Sequence, residues 1–156
     1  MLMFLKFNLY FIIFIFLFSL KIQAKEIPII VISAGKSNQS ISAVGSDITV
    51  LDSKTIYESE HNFLGDIINE KIPGMNFFQS GGHGTQAGIQ LRGLPKRYST
   101  VYIDGVKMSD PSSVSGDFDF NHILTSQISR VEILKGNQSS VYGNGAIGGT
   151  INITTK

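Results

Sequence analysis

Gly143, Gly145 and Gly148 spell GxGxxG, the spacing with which a dinucleotide-binding loop brings its backbone up to a pyrophosphate. That chemistry needs a strand before the loop and a helix after it, so that the helix N-terminus meets the phosphates. Here the β-prone run Thr150 to Thr155 (TINITT) follows, which predicts a strand and argues against a nucleotide site. Ser80 to Gly88 (SGGHGTQAG) is also glycine-rich but lacks the Gly-Lys-Ser/Thr ending of a P-loop. His61, His83 and His122 are scattered, with no i, i+4 pair and no HExxH, so structural or solvated histidines are the expectation. No GxSxG elbow supports acyl transfer. Asp110, Asp117 and Asp119 share a loop with Ser and Gly and could attract Ca²⁺, but their spacing and the missing bidentate Glu do not fit an EF-hand. That loop is expected to be solvated. Asn38-Gln39-Ser40, Asn137-Gln138-Ser139 and Asn152-Ile153-Thr154 match glycosylation sequons, a weak pattern in a chain rich in Asn and Ser. No catalytic constellation and no cofactor site stands out, and the reading is binding rather than catalysis.

The elements that must position these residues lie behind an apolar leader. Phe7 to Leu20 (FNLYFIIFIFLFSL) follows one charge at Lys6 and precedes Lys21-Ile22-Gln23-Ala24, the layout of a secretory signal peptide cleaved after Ala24. A spanning helix wants roughly 20 apolar residues, and Lys21 interrupts this run too early. Removing residues 1–24 from the 156 leaves 132, and the loss of Lys6 and Lys21 takes the formal charge from +1 to −1. So even a charge lacks the basic stripe of a nucleic-acid binder. With no cysteine there is no disulfide framework and no thiolate chemistry. The remaining length suits one domain with a real core. It is too short for a large membrane barrel, which needs on the order of sixteen strands of about ten residues.

Lys25 to Ser46 reads as a tether and linker. It opens with an extended run, Ile27 to Ala34, in which Pro28 argues against a central strand, and continues through a stretch rich in Gly, Ser and Asn. The folded domain then runs from Asp47 to Lys156. Asp47 to Leu51 reads as a strand, and Asp52 or Ser53 caps a short helix ending at Glu58. Phe63, Leu64, Ile67 and Ile68 fall at helical spacing within Asn62 to Lys71, and Pro73-Gly74 stops that helix. Met75 to Phe78 is a strand, Ser80 to Gly88 a loop, and Ile89 to Arg92 an alternating strand. Val101 to Asp104 alternates likewise, turns at Gly105 and resumes at Val106 to Met108. Ser109 to Asp119 is a second polar loop, Asn121 to Gln127 a short helix, Arg130 to Lys135 a strand with Val131 and Ile133 on one face, and Gln138 to Tyr142 a helical turn. The fold class is α+β, a small mixed sheet with short helices.

In this order the segments resemble the plug domain of TonB-dependent outer-membrane receptors, over essentially all of Ile29 to Lys156. Ile29-Ile30-Val31-Ile32-Ser33-Ala34 is similar to a TonB box, and Ile67 to Met75 (IINEKIPGM) to the family's helix end before PGV. Gln90-Leu91-Arg92-Gly93 resembles the IRG strand and Val101 to Val106 (VYIDGV) the hairpin VLIDGV. Arg130 to Gly136 (RVEILKG) resembles RVEVLRG, and Ser139 to Ile153 (SSVYGNGAIGGTINI) the stretch SALYGSGAIGGVINI. Each motif alone is weak; six in order behind a signal peptide are specific.

The resemblance implies an exported plug, with ligand recognition and gating of energy-coupled nutrient uptake at the outer membrane. It implies a TonB-type partner that pairs with Ile29 to Ala34, and a barrel whose glutamates meet Arg92 and the residue at position 135. That residue is Lys135 where the family has arginine, which loses bidentate geometry, and Asn137 replaces the usual proline. Ser80, Gly81, Gly82, His83 and Gly84, with Ser113, Val114 and Ser115, look most like the apical loops of cobalamin receptors. A small-molecule ligand, a corrinoid or siderophore-like chelate, is expected there. The chain ends at Lys156, where a first barrel strand would start, so a fragment, a split gene and a truncated frame all stay open. A freestanding periplasmic ligand-binding or signalling module is the rival reading.

Overall fold

The computed structural model describes Ile30–Val31, residues 39–41 and residues 44–156. The leader at 1–24 and, in the tether, Ile29, Ile32, Ser33 and Ala34 lie outside the described residues. Strands β1 (Ile30–Val31) and β2 (Gln39–Ser40) pair antiparallel as a two-stranded unit, with Ile30 opposite Ser40 and Val31 opposite Gln39. Ile30–Val31 is therefore extended and lies outside the five-stranded main sheet.

The organising strand is β8 (Ile128–Lys135), flanked by β3 (Asp47–Leu51) and β9 (Gly149–Thr155), both antiparallel to it. Strand β6 (Ser99–Ile103) adds parallel to β9, and β7 (Val106–Met108) closes the order β3-β8-β9-β6-β7. Val131 and Ile133 share one face of β8 as expected, and the other face is covered too: Val131, Glu132, Ile133 and Leu134 are all inaccessible. Val131 and Ile133 join the main core with Ile151 and Ile153. Leu134 packs in a second cluster with Tyr142, Ala146, Ile48 and Tyr102. Glu132 is only 2 % exposed, and one of its carboxylate oxygens lies 2.8 Å from Arg130 Nε.

Two helices cover the main core. Helix α1 (Ser53–Glu58) starts at Asp52, whose carboxylate accepts the Thr55 N–H at 2.8 Å, the expected N-cap. Helix α2 (Leu64–Lys71) buries Leu64, Ile67 and Ile68 of the predicted stripe, while Phe63 stands before it as the half-buried N-cap residue; Asp66 in its first turn and Lys71 in its last both match the helix dipole. It ends where Ile72, Pro73 and Gly74 turn the chain, Gly74 having φ +79°. Strands β4 (Met75–Gln79) and β5 (Ala87–Leu91) then form a separate hairpin, with Met75 opposite Leu91 and Gln79 opposite Ala87. Gly65 lets this hairpin approach α2, because a Cβ there would run into the Phe77 ring.

Two expectations need correction. The loop predicted over 80–88 ends sooner, since Ala87 and Gly88 are already strand; the Phe78 ring and the Lys96 stem occupy the space a Gly88 side chain would need. The helix predicted over 121–127 is instead two 3₁₀ turns, Phe120–His122 and Thr125–Gln127. Between them the backbone of Leu124 bridges to Phe63 and Ile123 O accepts the Leu64 N–H at 3.0 Å, which a continuous helix would forbid. The β6–β7 connection is a two-residue turn at Asp104-Gly105, φ +48° and +81°, as type I′ geometry requires. Asp104 also clamps the end of β9, its carboxylate accepting Thr155 N–H at 2.9 Å and Thr155 O–H at 2.7 Å.

At Gly149, φ +149°, a Cβ would collide with the Leu134 carbonyl oxygen across the β8–β9 ladder. Gly149→Ala is expected to lower unfolding free energy by about 1–3 kcal/mol. Gly45→Ala, where nothing lies within 4 Å of the added atom, should change it by less than about 0.5 kcal/mol in the same denaturant titration.

Hydrogen bonds from the Thr55 side chain and then its backbone hold the Asp52 carboxyl below its ordinary 3.8. Its contribution to stability is therefore complete above that pH and is lost as pH falls through the lower, folded value. Asp52→Ala should cost about 1 kcal/mol at neutral pH. Stability curves of wild type and variant should converge on acidification; parallel curves would rule out a titrating cap.

Candidate functional site

The 80–86 loop is joined by side chains to the residues that close the 109–119 loop and open the 3₁₀ turn after it. In the 80–86 loop, Ser80 N–H donates to Gln86 O at 3.1 Å, and Thr85 donates to Gly82 O through its backbone at 3.2 Å and its hydroxyl at 2.9 Å. The His83 ring stacks on Phe63, centroids 5.0 Å apart and planes 18° apart, which moors the loop tip to the start of α2. From the 3₁₀ turn just after the second loop, Asn121 Oδ1 accepts Gly84 N–H at 3.0 Å. Asp119 Oδ1 accepts both Ala87 N–H at 2.9 Å and Asn121 N–H at 3.1 Å.

The three aspartates of the 109–119 loop have separate employments; most of the loop is open to solvent, as expected, and Asp117 alone of the three is buried. Asp110 accepts Ser112 O–H at 2.6 Å and Ser112 N–H at 2.8 Å, and these bonds hold its carboxyl below the ordinary range. Asp117 is buried and pairs with Lys96 Nζ at 2.7 Å. Asp119 ties the two loops. Among the described residues no three His, Cys, Asp or Glu side chains gather as a metal-holding group. At the apex, Ser113 N–H donates to Asp110 O and Gly116 N–H to Ser113 O, leaving Val114 fully exposed between Ser113 and Ser115. A cleft of about 540 Å³ lies beside this loop, lined in part by Arg97, Lys107, Ser115, Gly116, Asp117 and Asn144. Ser80 to Gly84 do not line it.

The GxGxxG stretch serves a different end. Gly143 and Gly145, φ +80° and +104°, terminate α3 (Ser139–Tyr142) and lead into β9, so no helix N-terminus faces the loop. The neighbouring Tyr142 hydroxyl is pushed up to about 12, chiefly by burial and then by Tyr102 and Glu132.

Arg92 and position 135 meet at one corner. Arg92 stands just beyond β5 with φ +50°, its N–H donating to Gly74 O at 2.7 Å. Its guanidinium pairs with Asp47 Oδ2 at 2.7 Å, both side chains about half exposed. Asp47 opens β3 directly across the ladder from Lys135. Residues 44–46 therefore lead into β3 at the same corner.

Sequence reasoning missed Asp47, Lys96 and Asn121 as partners. The alternation Asp117-Phe118-Asp119 was the available signal for the segment before the 3₁₀ turn, because an extended segment sends alternate side chains to opposite faces.

Residues 40–150 match the family model described as TonB-dependent Receptor Plug Domain. The vitamin B12 transporter BtuB of Vibrio vulnificus is 34 % identical over 126 residues, 81 % of this chain and 20 % of that protein. Among solved structures, the ferric yersiniabactin uptake receptor FyuA from Yersinia pestis aligns with TM-score 0.56 and 28 % identity over 74 % of this chain and 18 % of its own. A ferric enterobactin receptor, PfeA from Pseudomonas aeruginosa, aligns with TM-score 0.53 and 28 % identity over 70 % of this chain and 17 % of its own. The chain spans about a fifth of the length of the curated relatives it matches.

The half-exposed Arg92–Asp47 pair should add little to stability. Arg92→Gln is expected to shift unfolding free energy by less than about 1 kcal/mol in a denaturant titration. A larger loss would show that Arg92 is a fold determinant and not a residue held available at the surface.

Proposed function

The chain belongs to the TonB-dependent receptor plug domain family, and from that premise we propose that it is the ligand-recognising, gating plug of an energy-coupled outer-membrane importer. The family match over residues 40–150 carries the proposal. The relatives are receptors and transporters, so the work is binding and not catalysis. The cargo is a bulky, scarce nutrient: a corrinoid first, because the similar Vibrio protein is a vitamin B12 transporter, and a siderophore-like chelate second, because FyuA takes up ferric yersiniabactin. The rival, a freestanding periplasmic module, draws nothing from these relatives, in which the matched segment is a fraction of a longer chain.

In this reading residues 1–24 direct export and 25–46 tether the plug, which occupies 47–156. Ligand rests on Ser80 to Gly84 and Ser113 to Ser115. Ile29 to Ala34 serves as the TonB box, adding a strand to the coupling protein. Main-chain hydrogen bonds supply most of the affinity in such pairing, and Ile30–Val31 is already extended. Arg92 and Lys135 face acidic groups of the surrounding barrel. Asp47 is then Arg92's partner within the plug, and a barrel carboxylate would compete for the same cation.

The test uses cells that make the chain together with its barrel. Deleting Ile29 to Ala34 should abolish uptake of cyanocobalamin while leaving its binding at the cell surface within about twofold, since the tether adds strand pairing and no ligand contact. Equal loss of uptake and binding would remove the tether role. If neither cyanocobalamin nor a ferric siderophore is bound by the intact receptor, the cargo assignment falls.

A further inference from the structure

We propose that Asp119 and Asn121 are positioning residues that lock the 80–86 and 109–119 loops into one recognition surface, so that neither loop responds to ligand alone. The inference rests on the reading that these loops take ligand, and it adds two residues that lie outside the apical stretches themselves.

The 80–86 loop has little of its own to hold it. Gly81, Gly82 and Gly84 lose more backbone freedom on ordering than other residues would, and the internal bonds are those of Ser80 and Thr85. Its remaining polar anchors come from outside: Asn121 Oδ1 on Gly84 N–H at 3.0 Å, and Asp119 Oδ1 on Ala87 N–H at 2.9 Å where the loop enters β5. Asp119 Oδ1 also takes Asn121 N–H at 3.1 Å, so one carboxylate oxygen orients the second brace while making the first. Bonds to an ionised acceptor are the stronger kind. The far end of the brace is fixed as well, since Asp117, two residues earlier, is buried against Lys96. Phe118 and Phe120 pack edge to face, centroids 4.9 Å apart, with Phe120 in the main core. The run 117–121 therefore anchors itself through its aromatics while Asp119 and Asn121 hold the 80–86 loop and the start of β5.

Amide hydrogen exchange on the full chain tests the brace without any ligand. Asn121→Leu keeps side-chain volume and removes the acceptor; the Gly84 amide should then exchange about tenfold faster, the equivalent of one lost hydrogen bond, while β8 amides keep their protection. Asn121→Asp retains Oδ1 and should restore slow exchange at Gly84, a rescue that a general packing role would not give. Unchanged Gly84 exchange in Asn121→Leu overturns the proposal. Should that variant not fold, the unaltered chain decides: Gly84 and Ala87 amides must be protected together with Asn121, and free-loop exchange at Gly84 overturns it equally. In the assembled receptor, a double-mutant cycle between His83→Ala and Val114→Ala on cyanocobalamin affinity should show at least about twofold coupling, lost in Asn121→Leu. Additivity in the unaltered background overturns the single-surface claim. Absence of cyanocobalamin binding in that background counts against the ligand reading, and the exchange result then judges the brace by itself.

Discussion

The ladder between β8 and β9 is the constraint on which the other elements depend. Its seven paired positions run from Ile128 opposite Thr155 to Lys135 opposite Gly149, and both strands are buried along most of that length. Antiparallel sheets commonly leave one face to solvent, yet β8 does not. Its two faces carry different cargo, Val131 and Ile133 toward the helices and Leu134 toward Tyr142 and Ala146. The second cluster exists only because the chain after Gly136 folds back over the sheet, with Gly136 N–H bonded to Gly148 O and Gln138 N–H to Ala146 O. The glycines there are a structural requirement of that return. Gly149 sits against the Leu134 carbonyl and can be nothing larger without moving the ladder.

A sheet so covered leaves the remaining segments to be fixed by polar contacts. Asp52, Asp104, Asp110 and Asp119 each accept two or more hydrogen bonds or cap a backbone end, and Asp117 is neutralised by Lys96. Most of the acidic side chains in the loops are thus short ties between adjacent segments. Such ties suit the proposed role, in which the domain keeps a polar exterior against a water-lined barrel while holding its loops in one shape. Apolar anchoring of the same loops would enlarge the core at the expense of that exterior.

Much of this was legible in the sequence, and the reasons are local. The α2 stripe, the Asp52 cap, the Pro73-Gly74 stop and the Asp104-Gly105 turn each follow from neighbouring residues, so spacing and turn chemistry found them. The order of six motifs carried the family. What sequence could not yield was decided by distant chain. Gly88 looked like loop because its glycine answers to Phe78 and Lys96, not to its neighbours. Residues 121–127 looked helical until Leu124 found Phe63, about sixty residues earlier. The burial of Glu132, and the partners of Arg92 and Asp119, likewise come from segments tens of residues away or from a sheet face that no one-dimensional pattern shows.

The same long-range contacts place β5 between the two ends of the proposed function. Its first residue, Ala87, is held by Asp119 at the loops; the residue after its last, Arg92, holds Asp47, where the proposed tether would join the domain. Five strand residues paired throughout with β4 are a stiff connection, so a displacement at Ala87 has little room to dissipate before it reaches Arg92. Stiffness alone transmits nothing unless some joint has two arrangements. The Arg92–Asp47 pair is the weakest joint on that line, half exposed and of a class worth at most about 1 kcal/mol. Arg92 is also already in the left-handed region, a conformation that favours glycine and that its neighbours must sustain. Opening that contact at so little cost would uncouple β5 from the start of β3 without disturbing the β8–β9 ladder beneath, Asp47 remaining paired with Lys135.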